Sequence, residues 1–228
     1  MKLKKNDFVE IEYTGKLDDD TVFDTTDEET ANKSGLKREN SIFGPVVVCL
    51  GEHHVLEGIE NELIGKEAGT YHVDLSAEKA FGKKDAKLLK LMPMKLFIKQ
   101  KIQPFVGLEV NIDNAYGTVR SVSGGRVIVD FNHPLSGRAV KYDIKVNRLV
   151  EDTLTKAKSL FKNELNISDI KFELADGVLV IDEEKFPVEV LAGVKKRITE
   201  LIPEIKDIVK KTKAAATEQK KEPEEKSA

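Results

Sequence analysis

The sequence has a single cysteine and no tryptophan in 228 residues. One thiol, Cys49, forms neither an intrachain disulfide nor a cysteine-rich metal site, so redox frameworks and zinc-thiolate domains are excluded. No apolar run approaches the roughly 18 residues that a membrane span needs, and residues 1–7 are polar and lack the apolar centre of a signal peptide. We therefore expect a cytoplasmic protein with no membrane partner.

Charge of one sign is not in excess either, because 37 Lys and Arg residues face 40 Asp and Glu residues. A formal net charge of -3, with both signs interspersed, gives no electrostatic reason for binding a phosphate backbone, so we expect no nucleic-acid partner. The hydrophobic fraction of 40% and the charged fraction of 34% are typical of folded globular proteins.

The motifs of ordinary catalysis are also missing. The sequence has no phosphate-binding or dinucleotide-binding glycine pattern, so we expect no cofactor. His53 and His54 could bind a metal, but adjacent side chains point apart on a strand and the pair lacks the i, i+4 spacing of helical zinc sites. We interpret both as surface or rim histidines and expect no metal site. Cys49 lies in an apolar run and is predicted to be a small buried core residue.

The residues that are present form three patterns, the first of which covers residues 1–83 and 132–150. Short segments there alternate apolar and polar residues, which predicts strands with one solvent-exposed face. One short helix, with Leu56, Ile59 and Leu63 on a single side, lies between two of them. One helix against an antiparallel sheet predicts an α+β fold. The polar stretch 27–43 is long for a strand connection, and we expect a flexible loop there.

Residues 84–131 interrupt this pattern with a crowded apolar half followed by predicted β hairpins around Gly117 and Gly124-Gly125. We expect a small inserted β-rich domain. Its apolar content exceeds what a domain of this size can bury, and flexible methionines suit varied apolar ligands, which predicts an exposed surface for unfolded chains. The alternative, that these side chains only form the core of the insert, stays open. The predicted client-binding residues are Leu89, Met92, Met94, Phe97, Ile98 and Phe105.

Residues 151–211 are predicted to form a C-terminal α+β domain. An amphipathic helix from about Leu154 precedes a hairpin, in which two apolar runs flank Asp176-Gly177. A long helical pattern follows, with a kink or a split expected at Pro203. Its apolar stripe consists of Val194, Ile198, Leu201, Ile205 and Ile208.

This stripe favours a homodimer through the C-terminal domain, although it could equally pack on the hairpin within one subunit. Residues 212–228 hold no large aliphatic side chain and are predicted to be a disordered charged tail.

Five short motifs with aromatic and aliphatic residues follow one another through the first pattern. They are Ile11-Glu12-Tyr13-Thr14-Gly15, Phe23-Asp24, Val55-Leu56-Glu57-Gly58-Ile59, Ala80-Phe81-Gly82 and Tyr142-Asp143. In their order and spacing the sequence resembles the FKBP family of peptidyl-prolyl isomerases, over about residues 3–82 and 133–150. The insertion after Gly82 resembles the insert-in-flap domain of SlyD-like members. With its C-terminal domain, the whole chain resembles a long-type archaeal FKBP.

The resemblance implies a half-wrapped antiparallel sheet of about five strands around the short helix, with a shallow apolar pocket between them. The usual Trp on the pocket floor corresponds to Ile59, the usual closing Phe to Tyr142, and a further aromatic to Val46, so the pocket stays apolar and changes in shape. By motif match, the residues that line it are Tyr13, Phe23, Asp24, Val55, Leu56, Ile59, Phe81 and Tyr142.

An apolar pocket is what the rotation of an X-Pro amide requires. The barrier of about 18–20 kcal/mol comes from amide resonance and no bond is broken, so neither a nucleophile nor a metal is needed. The resemblance implies that the backbone N–H of Leu56 holds the substrate carbonyl and that Tyr13 and Asp24 form a polar rim.

We therefore predict a prolyl isomerase and folding chaperone that acts on unfolded or proline-containing polypeptides. The alternative is a holdase with vestigial isomerase activity, in keeping with the replaced aromatics. A SlyD-like metal carrier is disfavoured because no His- or Cys-rich tail follows Thr212.

Overall fold

The computed structural model describes residues 1–37, 41–168, 171–182 and 188–211. The strands in these ranges form three sheets, of five, four and three strands. The fold is α+β, as predicted, with mostly antiparallel pairing and few helices. None of the helices in the described ranges is long and apolar enough to cross a membrane. The predicted tail at 212–228 lies outside the described residues.

The helices and strands follow one another along the chain with short connections. In chain order they are β1 (Phe8–Leu17), β2 (Val22–Thr25), α1 (Glu28–Lys33), β3 (Val46–Cys49), α2 (Glu57–Leu63), β4 (Gly69–Leu75), β5 (Leu89–Pro93), α3 (Met94–Lys99), β6 (Glu109–Ile112), β7 (Ala115–Ser123), β8 (Arg126–Asp130), β9 (Val140–Leu149), α4 (Thr153–Leu165), β10 (Phe172–Ala175), β11 (Val178–Asp182), α5 (Val188–Leu201) and β12 (Asp207–Lys211).

The five-stranded sheet is built from the segments whose apolar and polar residues alternate. β1 pairs with β9 along nearly all of its length, and β4 pairs with the other edge of β9. β2 and β3 share the remaining edge of β1, and every pairing in this sheet is antiparallel. Alternation predicted these strands because residues two apart face the same side of a sheet. The core between this sheet and α2 includes Val9, Ile11, Ile59, Leu63 and Ile144.

The connection between β2 and β3 is more ordered than the flexible loop that we predicted for residues 27–43. It contains α1, and the Asp27 carboxylate caps this helix by accepting a hydrogen bond of 2.7 Å from the Thr30 N–H. Glu28 and Glu29 follow in the first turn, where negative charge is favourable. The loop prediction was wrong for this stretch, because one cap and a single buried side chain, Ala31, are enough to hold a helix of six residues.

The four-stranded sheet, in the order β5-β8-β7-β6, lies between the β4 and β9 strands in sequence. Its hairpins are antiparallel, and α3 connects β5 to the rest. A separate small core lies beneath it, and it consists of Phe97, Val110, Val119, Val127 and Val129. The bounds 84–131 that we gave to an inserted domain stay a prediction.

The three-stranded sheet contains the predicted hairpin, in which β10 and β11 pair antiparallel on either side of Asp176-Gly177. The prediction of one long helical stripe through Ile208 was wrong. The helix α5 ends at Leu201, before Pro203, and the chain returns as β12, which pairs parallel to β11. Because parallel neighbours need a crossover, α5 is the connection that brings β12 beside β11.

The apolar stripe that suggested a dimer is used inside the chain. Val194, Ile198, Leu201, Ile205 and Ile208 are all buried in one core with α4 and β11. The alternative of packing within one subunit therefore accounts for the stripe. A homodimer through the C-terminal domain stays a prediction without this support.

The C-terminal core continues into the five-stranded sheet. Phe8, Cys49 and Val150, from β1, β3 and the end of β9, belong to the same buried cluster as the residues of α4 and α5. α4 packs against β3. Cys49 is buried, as predicted.

Candidate active site

A cavity of about 440 Å³ lies between the five-stranded sheet and the start of α2. It brings together seven of the eight residues predicted for the pocket, while Phe23 does not line it. Sequence reasoning missed three of the lining residues, His53, His54 and Glu57. The complete lining is Tyr13, Asp24, His53, His54, Val55, Leu56, Glu57, Ile59, Phe81 and Tyr142.

The floor and walls of this cavity are apolar. Ile59, in the first turn of α2, is almost fully buried and takes the place of a larger aromatic floor. Phe23 contacts the two rings that form the walls, meeting Phe81 at 5.9 Å and Tyr142 at 5.7 Å between centroids, both edge to face. This geometry is favourable for aromatic pairs. Phe23 therefore supports the walls instead of lining the cavity.

The mouth of the cavity carries a polar pair. The Tyr13 hydroxyl donates a hydrogen bond of 3.1 Å to Asp24 Oδ2. Burial raises the pKa of Tyr13, and the Asp24 charge and hydrogen bond raise it further, so the hydroxyl remains protonated as a donor. Burial also raises the pKa of Asp24 against the opposing effect of this hydrogen bond. The pair gives the cavity one directional polar edge.

A backbone donor lies at the start of α2. Leu56 is the N-cap residue, and its carbonyl accepts the N–H groups of Ile59 and Glu60 at 2.8 and 3.2 Å. Within the described residues, the Leu56 N–H donates no backbone hydrogen bond outside helices and strands. Because the first N–H groups of a helix lack partners inside the helix, this edge of the cavity can accept a carbonyl from outside.

The two adjacent histidines differ in their surroundings. His53 is exposed, in agreement with a rim position, whereas the His54 side chain is only 4% exposed. The interpretation of His54 as a surface residue was wrong, because its ring lies under the cavity wall and Nδ1 accepts the Cys49 N–H at 3.1 Å. Burial lowers the pKa of His54. In the described part of the chain, no three His, Cys, Asp or Glu side chains group together as metal ligands would.

Comparison with known proteins gives the family. A model described as FKBP-type peptidyl-prolyl cis-trans isomerase matches residues 1–98. The chain is 30% identical over 145 residues to the short-type peptidyl-prolyl cis-trans isomerase of Methanocaldococcus jannaschii, covering 63% of this chain and 92% of that protein. The chain belongs to the FKBP-type isomerase family.

Bacterial FKBP relatives match the same part of the chain. The FKBP-type 16 kDa peptidyl-prolyl cis-trans isomerase of Escherichia coli is 31% identical over 150 residues, covering 63% of this chain and 91% of that protein. The FKBP-type isomerase SlyD of Vibrio cholerae is 26% identical over 152 residues, covering 64% of this chain and 68% of that protein. A second family model, the IF domain of FKBP26, matches residues 90–135 of this FKBP.

The predicted client-binding residues lie on the four-stranded sheet of this FKBP, and the structure separates them into two groups. Ile98 and Phe105 are 63% and 61% exposed, and Leu89 is also exposed. Met92 and Met94 are half-buried against the core of the sheet. Phe97 is a correction, because it is 2% exposed and forms the centre of that core. Sequence reasoning missed two further exposed apolar residues, Leu91 and Val106.

Proposed function

We propose that this FKBP rotates X-Pro bonds in unfolded polypeptides and that its four-stranded sheet holds these chains near the cavity. The observation that carries the proposal is the cavity itself, which has apolar walls, one polar edge and one unpartnered backbone donor. This is what rotation about a resonance-stabilised amide needs, since no bond is broken.

The walls would receive the proline ring. The twisted amide has lost its resonance and is less polar than the planar form, so an apolar site that excludes water favours it over the ground state. Phe81, Tyr142 and Ile59 supply such surroundings. Val55 closes the side of the cavity next to α2.

The polar edges would hold the chain on either side of the proline. The Leu56 N–H can donate to a substrate carbonyl, and the Tyr13–Asp24 pair can hydrogen-bond to the flanking backbone. Fixing both flanks while the bond between them turns converts binding energy into lowering of the barrier. Phe23 acts through Phe81 and Tyr142, as a support for the walls.

The four-stranded sheet supports the holding role. Ile98, Phe105 and Leu91 expose large apolar side chains, which soluble proteins seldom do without a binding purpose when the residues lie together. β5 is also the edge strand of its sheet, so its free backbone edge can pair with an extended chain. A client held there is at high local concentration beside the cavity.

The experiment compares two substrates. A double variant, Ile98→Ser with Phe105→Ser, should keep the wild-type rate on a short proline peptide, because neither residue lines the cavity. The same variant should lose most of the acceleration of a refolding reaction limited by proline isomerisation, and it should suppress aggregation less. Ile42→Ser, at an equally exposed isoleucine outside the sheet, is the matched control. Unchanged refolding and aggregation in the double variant would refute the holding role.

Two finer statements stay within this proposal. The cytoplasm is the proposed location, on the sequence grounds given above. A homodimer through the C-terminal domain is tested by the mass in solution, and a monomer at micromolar concentration would remove it.

A further inference from the structure

One wall of the cavity is held by the C-terminal domain. This wall is the loop formed by residues 50–56, which joins β3 to α2 and carries His53, His54, Val55 and Leu56. Three side chains of α4 and α5 reach it or its strand. They are Asn163, Glu164 and Arg197.

His54 is the residue that connects the two sides. Its ring lines the cavity, and the same ring contacts α4. Nδ1 accepts the Cys49 N–H at 3.1 Å, and Asn163 Nδ2 lies 3.2 Å from the same nitrogen. Because a backbone N–H can only donate, the proton of neutral His54 is on Nε2. That nitrogen has no hydrogen-bond partner within the described chain and lies 3.8 Å from Glu164 Oε1.

Arg197 fixes the other end of the loop. Its guanidinium binds Glu52, and its Nε donates to Glu164 Oε1 at 3.2 Å. One arginine of α5 thereby ties a loop residue to the carboxylate that faces His54. Asn163 adds a hydrogen bond of 2.9 Å to the Val47 carbonyl of β3. Planar, forked contacts of this kind restrain geometry more than a single point charge does.

The loop also depends on a buried carboxylate beneath it. Glu60 of α2 is 2% exposed and accepts backbone N–H groups of Gly51, His53 and His54. The loop is therefore held from below by Glu60 and from outside by Arg197. Val55 and Leu56 follow His54 directly, so any displacement of the His54 ring moves the cavity wall and the Leu56 donor.

We infer that Asn163, Glu164 and Arg197 are positioning residues of the isomerase site, through which the C-terminal domain sets the cavity wall. This inference rests on the proposed function of the cavity. It gives the C-terminal domain a role within one subunit. Misplacement by about 1 Å can lower a rate by up to roughly 100-fold, so a modest shift of the Leu56 donor is measurable.

The test uses the full chain and a short proline peptide. Arg197→Gln should lower kcat/KM by roughly threefold to tenfold on this scale. It should also move the amide signal of Leu56 in the NMR spectrum of the peptide-free protein. Arg197→Lys keeps the charge without the fork and should recover only part of the rate. The matched control is Arg148→Gln, which breaks an exposed ion pair with Glu10 away from the cavity and should change neither quantity.

Further variants make the result decisive. Glu52→Gln should mimic Arg197→Gln, and the double variant should lose no more than either single variant, since both break one contact. If Arg197→Gln fails to fold, Asn163→Ala replaces it, because Asn163 is an exposed residue of α4. Wild-type kcat/KM together with an unmoved Leu56 signal would overturn the inference. Should the wild-type chain itself not accelerate the peptide, the proposed function fails, and the Leu56 signal alone decides the positioning role.

Discussion

The rings of Phe23 and Tyr142 meet edge to face, with centroids 5.7 Å apart and planes at 89°. Gly15, on β1, makes this contact possible. A Cβ atom at Gly15 would lie 2.8 Å from Phe23 Cζ and 2.9 Å from Tyr142 Cε1. Both distances are shorter than side chains tolerate, so the aromatic wall depends on the absence of a side chain at this position.

Gly15→Ala should therefore damage the wall. We expect a loss of about 1–3 kcal/mol in the free energy of unfolding, as is usual for an overpacked site. Displacement of the two rings should lower kcat/KM on a proline peptide roughly tenfold. Urea unfolding and the peptide assay measure the two effects.

Gly193→Ala is the control for this change. A Cβ at Gly193, inside α5, meets no atom within 4 Å. Because alanine favours the helix, this variant should gain about 0.5–1 kcal/mol of stability and keep the wild-type rate. Equal stability of the two alanine variants would show that the wall has room that the structure does not give it.

The position of the pocket could be predicted from the sequence, and its closure could not. The motifs around Tyr13, Val55, Phe81 and Tyr142 follow the order of a known family, and each lies in a strand or turn whose local pattern is clear. His54 carries no such signal. Its burial comes from Asn163, which lies 109 residues away in the sequence and reaches the ring only after the C-terminal domain has folded.

The C-terminal domain shows why periodicity misleads over short segments. The spacing that predicts a helix from Val194 to Leu201 continues by coincidence through Ile205 and Ile208, which are buried in the same core. A strand of five residues offers too few alternations to compete with that pattern. The predicted split at Pro203 was the informative signal, because the helix ends two residues earlier.

The buried histidine predicts a dependence of stability on pH. Burial lowers the pKa of His54 below its ordinary value of 6.5, so the unfolded chain binds this proton more tightly than the folded chain. Stability from this group is complete above pH 6.5 and is lost as the pH falls below it. His54→Asn, which keeps an acceptor for the Cys49 N–H, should lose less stability than the wild type between about pH 7.5 and pH 5.5.

Urea unfolding at both pH values measures this difference. Subtracting the change in the variant from the change in the wild type isolates His54 from the nearby carboxylates. An identical pH dependence in the two proteins would show that His54 is not the responsible group.

The single cysteine should be unreactive in the folded protein. Burial raises the pKa of the Cys49 thiol to about 12, and the thiolate is the form that attacks thiol reagents. We expect no labelling by a disulfide reagent at about pH 8 under native conditions, and one equivalent after unfolding in denaturant. Rapid labelling of the native protein would mean that β3 opens away from α4.

The most direct test of the account is the cis-to-trans rate of a short proline peptide with catalytic amounts of the full chain. We expect a large acceleration over an uncatalysed process that takes tens of seconds or more, and its loss in a folded Phe81→Ala variant. Tyr116→Ala, at an exposed aromatic outside the cavity, should keep the wild-type rate. A wild-type chain that suppresses aggregation without accelerating the peptide would contradict the account and would make the protein a holdase built on an isomerase fold.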